Sequence, residues 1–236
     1  PPRHTWRGDT VSFVLEPGLL AELRARAAAQ KVTTFALVLA AWAALVHRLT
    51  HSEDVVIAAP VDARDAAGLA DLPGMLVSLL PLRLAVRGGQ SVTDLVRQAQ
   101  KVHTEALGHR AANLALLLAD LAPPAAPERT LLSEITLSYM NFAEAAPSTG
   151  GSEGFNQLGL TRDSCKNDLG IFIRDLPDRM LVSLEYYADL FERPRMERLG
   201  RQFQTLLAGL ARGDAEQSVA ALPLLEPDEE RTILAW

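Results

Sequence analysis

Two polar side chains interrupt an otherwise apolar run at residues 74–84, GMLVSLLPLRL: the hydroxyl of Ser78 and the guanidinium of Arg83. A guanidinium at the end of a buried strand must find a carboxylate or carbonyls, because an unpaired buried charge is costly. It does so either in a structural ion pair or against a substrate. The five histidines are His4, His47, His51, His103 and His109, and none stands in a metal or catalytic spacing with an acid or another histidine. His103 and His109 flank a helix end and a turn and read as solvated surface. His47 falls near a helix end, where a cation complements the dipole. The acid pairs Glu229–Glu230 and Asp62/Asp65 sit in terminal or loop segments and read as solvated faces rather than general acid/base pairs. Cys165 is the only cysteine, so neither an internal disulfide nor a cysteine-based metal site is available. A nucleophile elbow is not supported, no Walker loop is present, and no G-x-G-x-x-G follows a strand.

Those residues need elements to hold them. The 236 residues, 48% hydrophobic, are enough to bury a sizeable core in one large domain or two small ones. The net charge of -6, with Lys and Arg spread along the chain, argues against a nucleic-acid partner. No stretch reaches the roughly eighteen uninterrupted apolar residues of a membrane span. The opening PPRHTWRGDT lacks the apolar segment of a signal peptide. With a single cysteine, a reducing, cytoplasmic setting is expected.

Residues 9–15 alternate as a strand. Pro17 opens a helix to about Gln30 whose buried stripe is Leu19, Leu20, Leu23 and Ala27. Thr33 or Thr34 caps the next helix, apolar nearly all round, as a helix packed on a sheet and covered by others should be. Residues 54–59 form a buried strand. A loop follows, longer than compact domains usually allow without a functional reason. Residues 75–86 form a strand, Ser91 opens a helix that Gly108 ends, and a second helix spans about 113–121. Residues 134–140 form a strand. Residues 168–174 and 180–186 pair as a hairpin across DLPD. Pro194 starts a long amphipathic helix to about Leu210, and EPDEERTILAW closes the chain as a further helical stretch. Helices mixed with paired and single strands give an α/β (α+β layered) fold with a mixed β-sheet and helices packed on it.

The order of blocks carries a resemblance. TTFALVLAAWAALVHRLTHSEDVVIAAPVDAR is followed by LPGMLVSLLPLRL, SEITLSYMNF, NDLGIFIRD, LVSLEYYADLFERPRMERLGRQFQTLLAGL and LPLLEPDEERTILAW. From about Val11 to Trp236 this resembles the C-terminal lobe of a condensation domain of nonribosomal peptide synthetases. The resemblance implies a chloramphenicol acetyltransferase-like lobe over residues 1–222, with 223–236 starting a linker toward an adenylation domain. It implies amide-bond formation between acyl groups held by donor and acceptor peptidyl carrier proteins. The phosphopantetheine arms of those carriers are the only cofactor expected, with none bound directly and no metal. The family's H-H-x-x-x-D-G motif belongs to the N-terminal lobe, the required partner. No H-H pair occurs in this sequence, so no catalytic residue is expected here and the chain alone should be inactive. Rival readings are an inactive scaffold that recruits a tailoring enzyme and a free-standing acyltransferase with its site at a subunit interface.

The resemblance also bears on single residues. Against the family pattern (I/V)-G-x-F-V-N-T-x-x-x-R, Gly74, Val77 and Arg83 match, whereas Pro73, Leu76, Ser78 and Leu79 depart. Ser78, Arg83, Ser138, Met140 and Asp168 are the candidate tunnel-lining residues. Alternation puts Thr136, Ser138 and Met140 on one face of their strand, which is either a tunnel wall or a solvent-facing side. Asp168 matches a recurring family aspartate, and a strand-entry turn or salt bridge is its alternative role. Segments 61–73 and 142–166 are the candidates for the loops that members of the family send across to the other lobe.

Overall fold

The computed structural model describes residues 5–62, 64, 76–112, 114–121, 132–141, 163–225 and 229–231. Six strands form one mixed sheet: β1 (Gly8–Leu15), β2 (Asp54–Asp62), β3 (Val77–Ala85), β4 (Ile135–Met140), β5 (Leu169–Asp175) and β6 (Met180–Tyr187). Their spatial order is β1-β6-β5-β4-β2-β3. β2, β4 and β5 run parallel, and the remaining pairs are antiparallel. The helices are α1 (Pro17–Gln30), α2 (Thr34–Thr50), α3 (Val92–Gly108), α4 (Leu114–Leu121) and α5 (Arg193–Arg212), followed by the short 3-10 turn 219–221. α2, α3 and α5 pack against β2, β3 and β1, and α1 lies against α2 and α5.

Local chemistry explains the helices. Pro17 sits in the first turn of α1, where its missing N–H costs nothing. Lys31 closes that helix in the left-handed region. The Thr33 side chain accepts from the Ala36 N–H at 3.1 Å and caps α2. Ser91 caps α3 through the Asp94 N–H at 3.1 Å. α2 is the centre of the core: Ala36 through Leu45 are fully buried. Its alanines allow close packing, and Trp42 meets Phe203 of α5 edge-on at 5.6 Å. The stripe read for α1, Leu19, Leu20, Leu23 and Ala27, is its buried set.

Each strand turns one side to this layer. Leu80, Leu82 and Leu84 of β3, Leu137 of β4 and Ile171 and Ile173 of β5 take the helix side. The other side carries Ser12 and Ser183, whose hydroxyls lie 2.8 Å apart across β1 and β6. The strand read over 54–59 runs three residues further. Pro60, Val61 and Asp62, expected in the loop, pair with Leu79, Ser78 and Val77. Pro60 is tolerated because the pairing with β4 is registered at Ala58, so no neighbour needs its absent N–H. The hairpin of β5 and β6 turns at Leu176, whose N–H reaches the Arg179 carbonyl at 2.9 Å. α5 begins at Arg193 and continues to Arg212.

After α5 the chain folds back as a strap. Val92 N–H reaches the Gln217 carbonyl at 2.9 Å, and Thr93 reaches Ala215 through both its N–H and its hydroxyl. Val219 and Ala220 N–H groups bind the Gln90 and Gly88 carbonyls, each at 2.9 Å. Arg48, in the last turn of α2, donates to the carbonyls of Val219, Ala220 and Leu222 at 2.9–3.3 Å. Among the described residues no single helix is long and apolar enough to cross a membrane. The terminal helical stretch lies mostly outside the described residues, which include only 229–231 of it in helical conformation.

Candidate functional site

β2, β4 and β5 are parallel, so their C-terminal ends finish together at one rim of the sheet. That rim is where open α/β sheets usually leave a crevice for ligands. Here it holds a cleft of about 570 Å³. Residues 59–62 of β2, 138–141 at the end of β4, Asp175 of β5 and Val77 of β3 form its floor. Thr33, Thr34 and Phe35 at the start of α2, with His103 and Leu107 of α3, form its wall.

Its polar groups are engaged. The Tyr139 hydroxyl donates a short hydrogen bond to Oδ2 of Asp175. Burial and that carboxylate push the Tyr139 phenol far above its usual range, so it is a fixed donor rather than a base. Arg24 of α1 reaches Oδ1 of Asp175 at 2.6 Å and also binds the Pro177 and Leu176 carbonyls. One guanidinium thus ties α1 to the end of β5. Asp62 pairs with Arg64 at 3.2 Å. The Thr33 hydroxyl lies 2.9 Å from Oε1 of Gln100 as well as capping its helix. Among the described residues no cluster of His, Cys, Asp and Glu has a metal-binding arrangement.

His103 corrects an expectation. It is half-buried rather than solvated, its ring lies on Phe35 with centroids 4.2 Å apart, and desolvation lowers its pKa, which keeps the ring neutral at pH 7. Its Nδ1 is buried without a hydrogen-bond partner among the described residues. The signal was available: Val96, Ala99, His103 and Ala106 continue the helical stripe that begins at Val92. His109 is exposed, as expected. His47 Nδ1 lies 2.8 Å from the Ser52 carbonyl and helps to close α2.

Of the five candidate residues, the structure brings two to the cleft, Ser138 and Met140. Ser78 is one residue from Val77 at the rim. It shares the helix-facing side of β3 with Leu80 and is half-buried. Arg83 is not a buried guanidinium. It lies toward the far end of β3, on the side away from the helices, and grips Asp54 of β2 through two hydrogen bonds of 2.8 Å. Both partners are largely exposed, and the pairing lowers the Asp54 pKa and raises that of Arg83. The physical reason is alternation: the even positions of β3 take the core, which leaves Arg83 outside. Asp168 is also distant, at the entry of β5, about 20 Å along the strand from the rim at ~3.3 Å per residue. Its carbonyl accepts from Tyr187 N–H at 3.0 Å, and its carboxylate adds to the burial that pushes the Cys165 thiol up to about 11.

The proposed crossing segments fall largely outside the described residues, as do Gly74 and Pro73. Of 142–166, the stretch 163–166 runs beside β1, with Gly8 N–H on the Asp163 carbonyl at 2.9 Å. Residues 150–154, GGSEG, do have the G-x-S-x-G spacing of a nucleophile elbow, contrary to expectation; they too lie outside the described residues. A second surface feature is α4. None of its residues is buried, and Leu116 and Leu121 are 66% and 59% exposed. Between α4, the end of α3 and Leu79–Pro81 of β3 runs a groove of about 330 Å³.

Comparison with known proteins places this geometry. The family model for the condensation domain matches residues 1–234. The chain is 32% identical over 98% of its length to phosphinothricin tripeptide synthetase PhsB of Streptomyces viridochromogenes, covering 20% of that protein. It is 28% identical over 99% of its length to the dimodular nonribosomal peptide synthase of Bacillus subtilis, covering 10% of it. Among solved structures, the first condensation domain of the CDA synthetase is 26% identical, with a TM-score of 0.76 over 93% of this chain and 48% of that one. The X-domain from teicoplanin biosynthesis, solved in complex with OxyB, shares the fold at 22% identity, with a TM-score of 0.82 over 97% of this chain and 50% of that one. The chain therefore spans a small part of its curated relatives and about half of these solved chains. The sheet order, its layer of helices and the match along nearly every residue agree: this chain belongs to the condensation-domain family.

Proposed function

We propose that the chain is the C-terminal lobe of a condensation domain of a nonribosomal peptide synthetase. Residues 1–222 form the lobe and 223–236 begin the connection toward an adenylation domain. The observation that carries this reading is a match over residues 1–234 combined with coverage of only 48% of a solved condensation-domain chain. The reaction joins two acyl groups delivered on the phosphopantetheine arms of donor and acceptor carrier proteins. The acceptor amine attacks the donor thioester carbonyl, the C–N bond forms, the C–S bond breaks, and the amine proton leaves with the thiol released. The N-terminal lobe contributes the histidine motif. This lobe contributes a wall at the sheet rim, with Ser138 and Met140 facing the reacting arms. Holding two tethered groups end to end supplies much of the rate by converting an encounter into an intramolecular step. The setting is cytoplasmic.

The cleft chemistry supports a positioning role. Tyr139 and Asp175 are locked to each other, Asp62 to Arg64, and neutral His103 faces Phe35. The test is a thioester-to-amide assay with this chain alone and with an N-terminal condensation lobe added. Turnover only in the second case is expected. Turnover by the chain alone defeats the proposal. An assembled pair that forms no amide but captures an oxygenase points instead to a recruiting scaffold.

A further inference from the structure

The charges on the cleft wall are already neutralised within the protein. Asp175 holds Arg24 and the Tyr139 hydroxyl, and Asp62 holds Arg64. What they leave toward the cleft is mostly apolar: Phe35 and Leu107 on the helix side, Ala59, Val77 and Met140 on the strand side, with Thr34, Ser138 and Asn141 as uncharged polar groups among them. His103 adds a ring face and sits in the same wall, stacked on Phe35. Its volume of about 570 Å³ lies within the range of sites that take small molecules. A charged group entering would lose hydration and meet only counter-charges already engaged, which is costly. An alkyl or aryl group would lose nothing comparable and would gain contact with two aromatic faces.

We infer that the wall built by Phe35, His103 and Leu107 receives an uncharged alkyl or aryl portion of the acyl group being joined, and that it discriminates against an acyl group ending in a carboxylate. This rests on the proposed function for its place in the reaction, and names the substrate class of the cleft. His103 and Phe35 act here as specificity residues that shape the wall. Neither transfers a proton.

The test uses this chain and three N-acetylcysteamine thioesters, phenylacetyl, hexanoyl and succinyl, with affinities and contact residues read by NMR titration. Phenylacetyl and hexanoyl thioesters should shift the signals of Phe35, His103 and Leu107, and the succinyl thioester should bind at least tenfold more weakly. Leu107→Trp, which fills the cleft, should weaken the two apolar probes at least tenfold while the remaining spectrum stays native. Phe35→Ala is a second variant that opens the same wall, and it should narrow the gap between apolar and charged probes. Equal affinity for all three thioesters, absence of binding by all three, or shifts confined to another surface overturns the inference. Amide formation with the added N-terminal lobe separates the two claims. If Leu107→Trp leaves that rate unchanged, the wall is not used and the function stands. If wild type binds selectively yet never forms amide, the wall stands and the proposed function falls.

Discussion

Gly170 shows how one missing methyl sets the sheet. A Cβ at this position would lie 2.8 Å from Oγ1 of Thr136 and 3.1 Å from the Phe172 ring. Thr136 is 6% exposed, so its side chain is closely surrounded and yields to an added methyl only at a cost. Gly170→Ala should destabilise the fold by about 1–3 kcal/mol in denaturant unfolding, with Gly170→Ala/Thr136→Ala recovering part of the loss. His103 gives a pH signature. Folding lowers its pKa below the ordinary 6.5, so the unfolded chain binds more protons in that window. Its contribution is fully present above pH 6.5 and is lost as the pH falls toward the depressed folded value. His103→Leu should therefore lose less melting temperature than wild type between pH 7.5 and 5. A parallel decline in both proteins would show that the ring carries no such burden. The stripe through Val96, Ala99 and His103 points to a packed face, but that Phe35 of α2 covers the ring is a tertiary fact that the helix's own sequence does not carry. For Arg83 the sequence suggests a guanidinium at the end of a buried strand; the helices cover only the side of β3 that carries Leu80, Leu82 and Leu84, and that one-sided cover is a property of the fold rather than of the local pattern.

At the scale of elements, periodicity and caps carried most of the information. Apolar spacing defined α1, and Thr33 and Ser91 marked the starts of α2 and α3 by hydroxyls that satisfy otherwise unpaired N–H groups. Thr33→Ala should cost about 1 kcal/mol, within the usual range of ~0.5–2 for a lost cap. It also removes the hydroxyl at the mouth of the cleft, and thermal unfolding with and without a bound apolar thioester would separate the two effects. Local pattern ends β2 three residues short, because Pro60 looks like a strand terminator. Its continuation depends on β3, far along the chain, and nothing local announces that pairing. The sheet order has the same origin, since β1 finds β6 across more than a hundred and fifty residues.

For the whole molecule, one side of the sheet is sealed by helices, while the rim and α4 offer apolar surface. α4 leaves Leu116 and Leu121 66% and 59% exposed. If, on the proposed function, a carrier protein docks on this apolar face, charging it gives a test. Leu116→Glu/Leu121→Glu should leave the melting temperature nearly unchanged. It should slow amide formation severalfold with carrier-tethered substrates and leave soluble thioesters unaffected; equal slowing of both would refute the assignment. The family was legible because blocks along the entire chain kept their order, whereas the candidate site was legible only at Ser138 and Met140. Cleft membership is decided by three parallel strands ending at one rim, which is a property of topology rather than of any motif.

The strap behind Leu222 has a mechanical meaning. Arg48 rivets three carbonyls of the returning chain to α2, the most deeply buried helix. A tug on the polypeptide beyond that point is therefore delivered to the rigid centre of the lobe instead of peeling away its margin. The lobe would swing as one solid piece with whatever pulls on it.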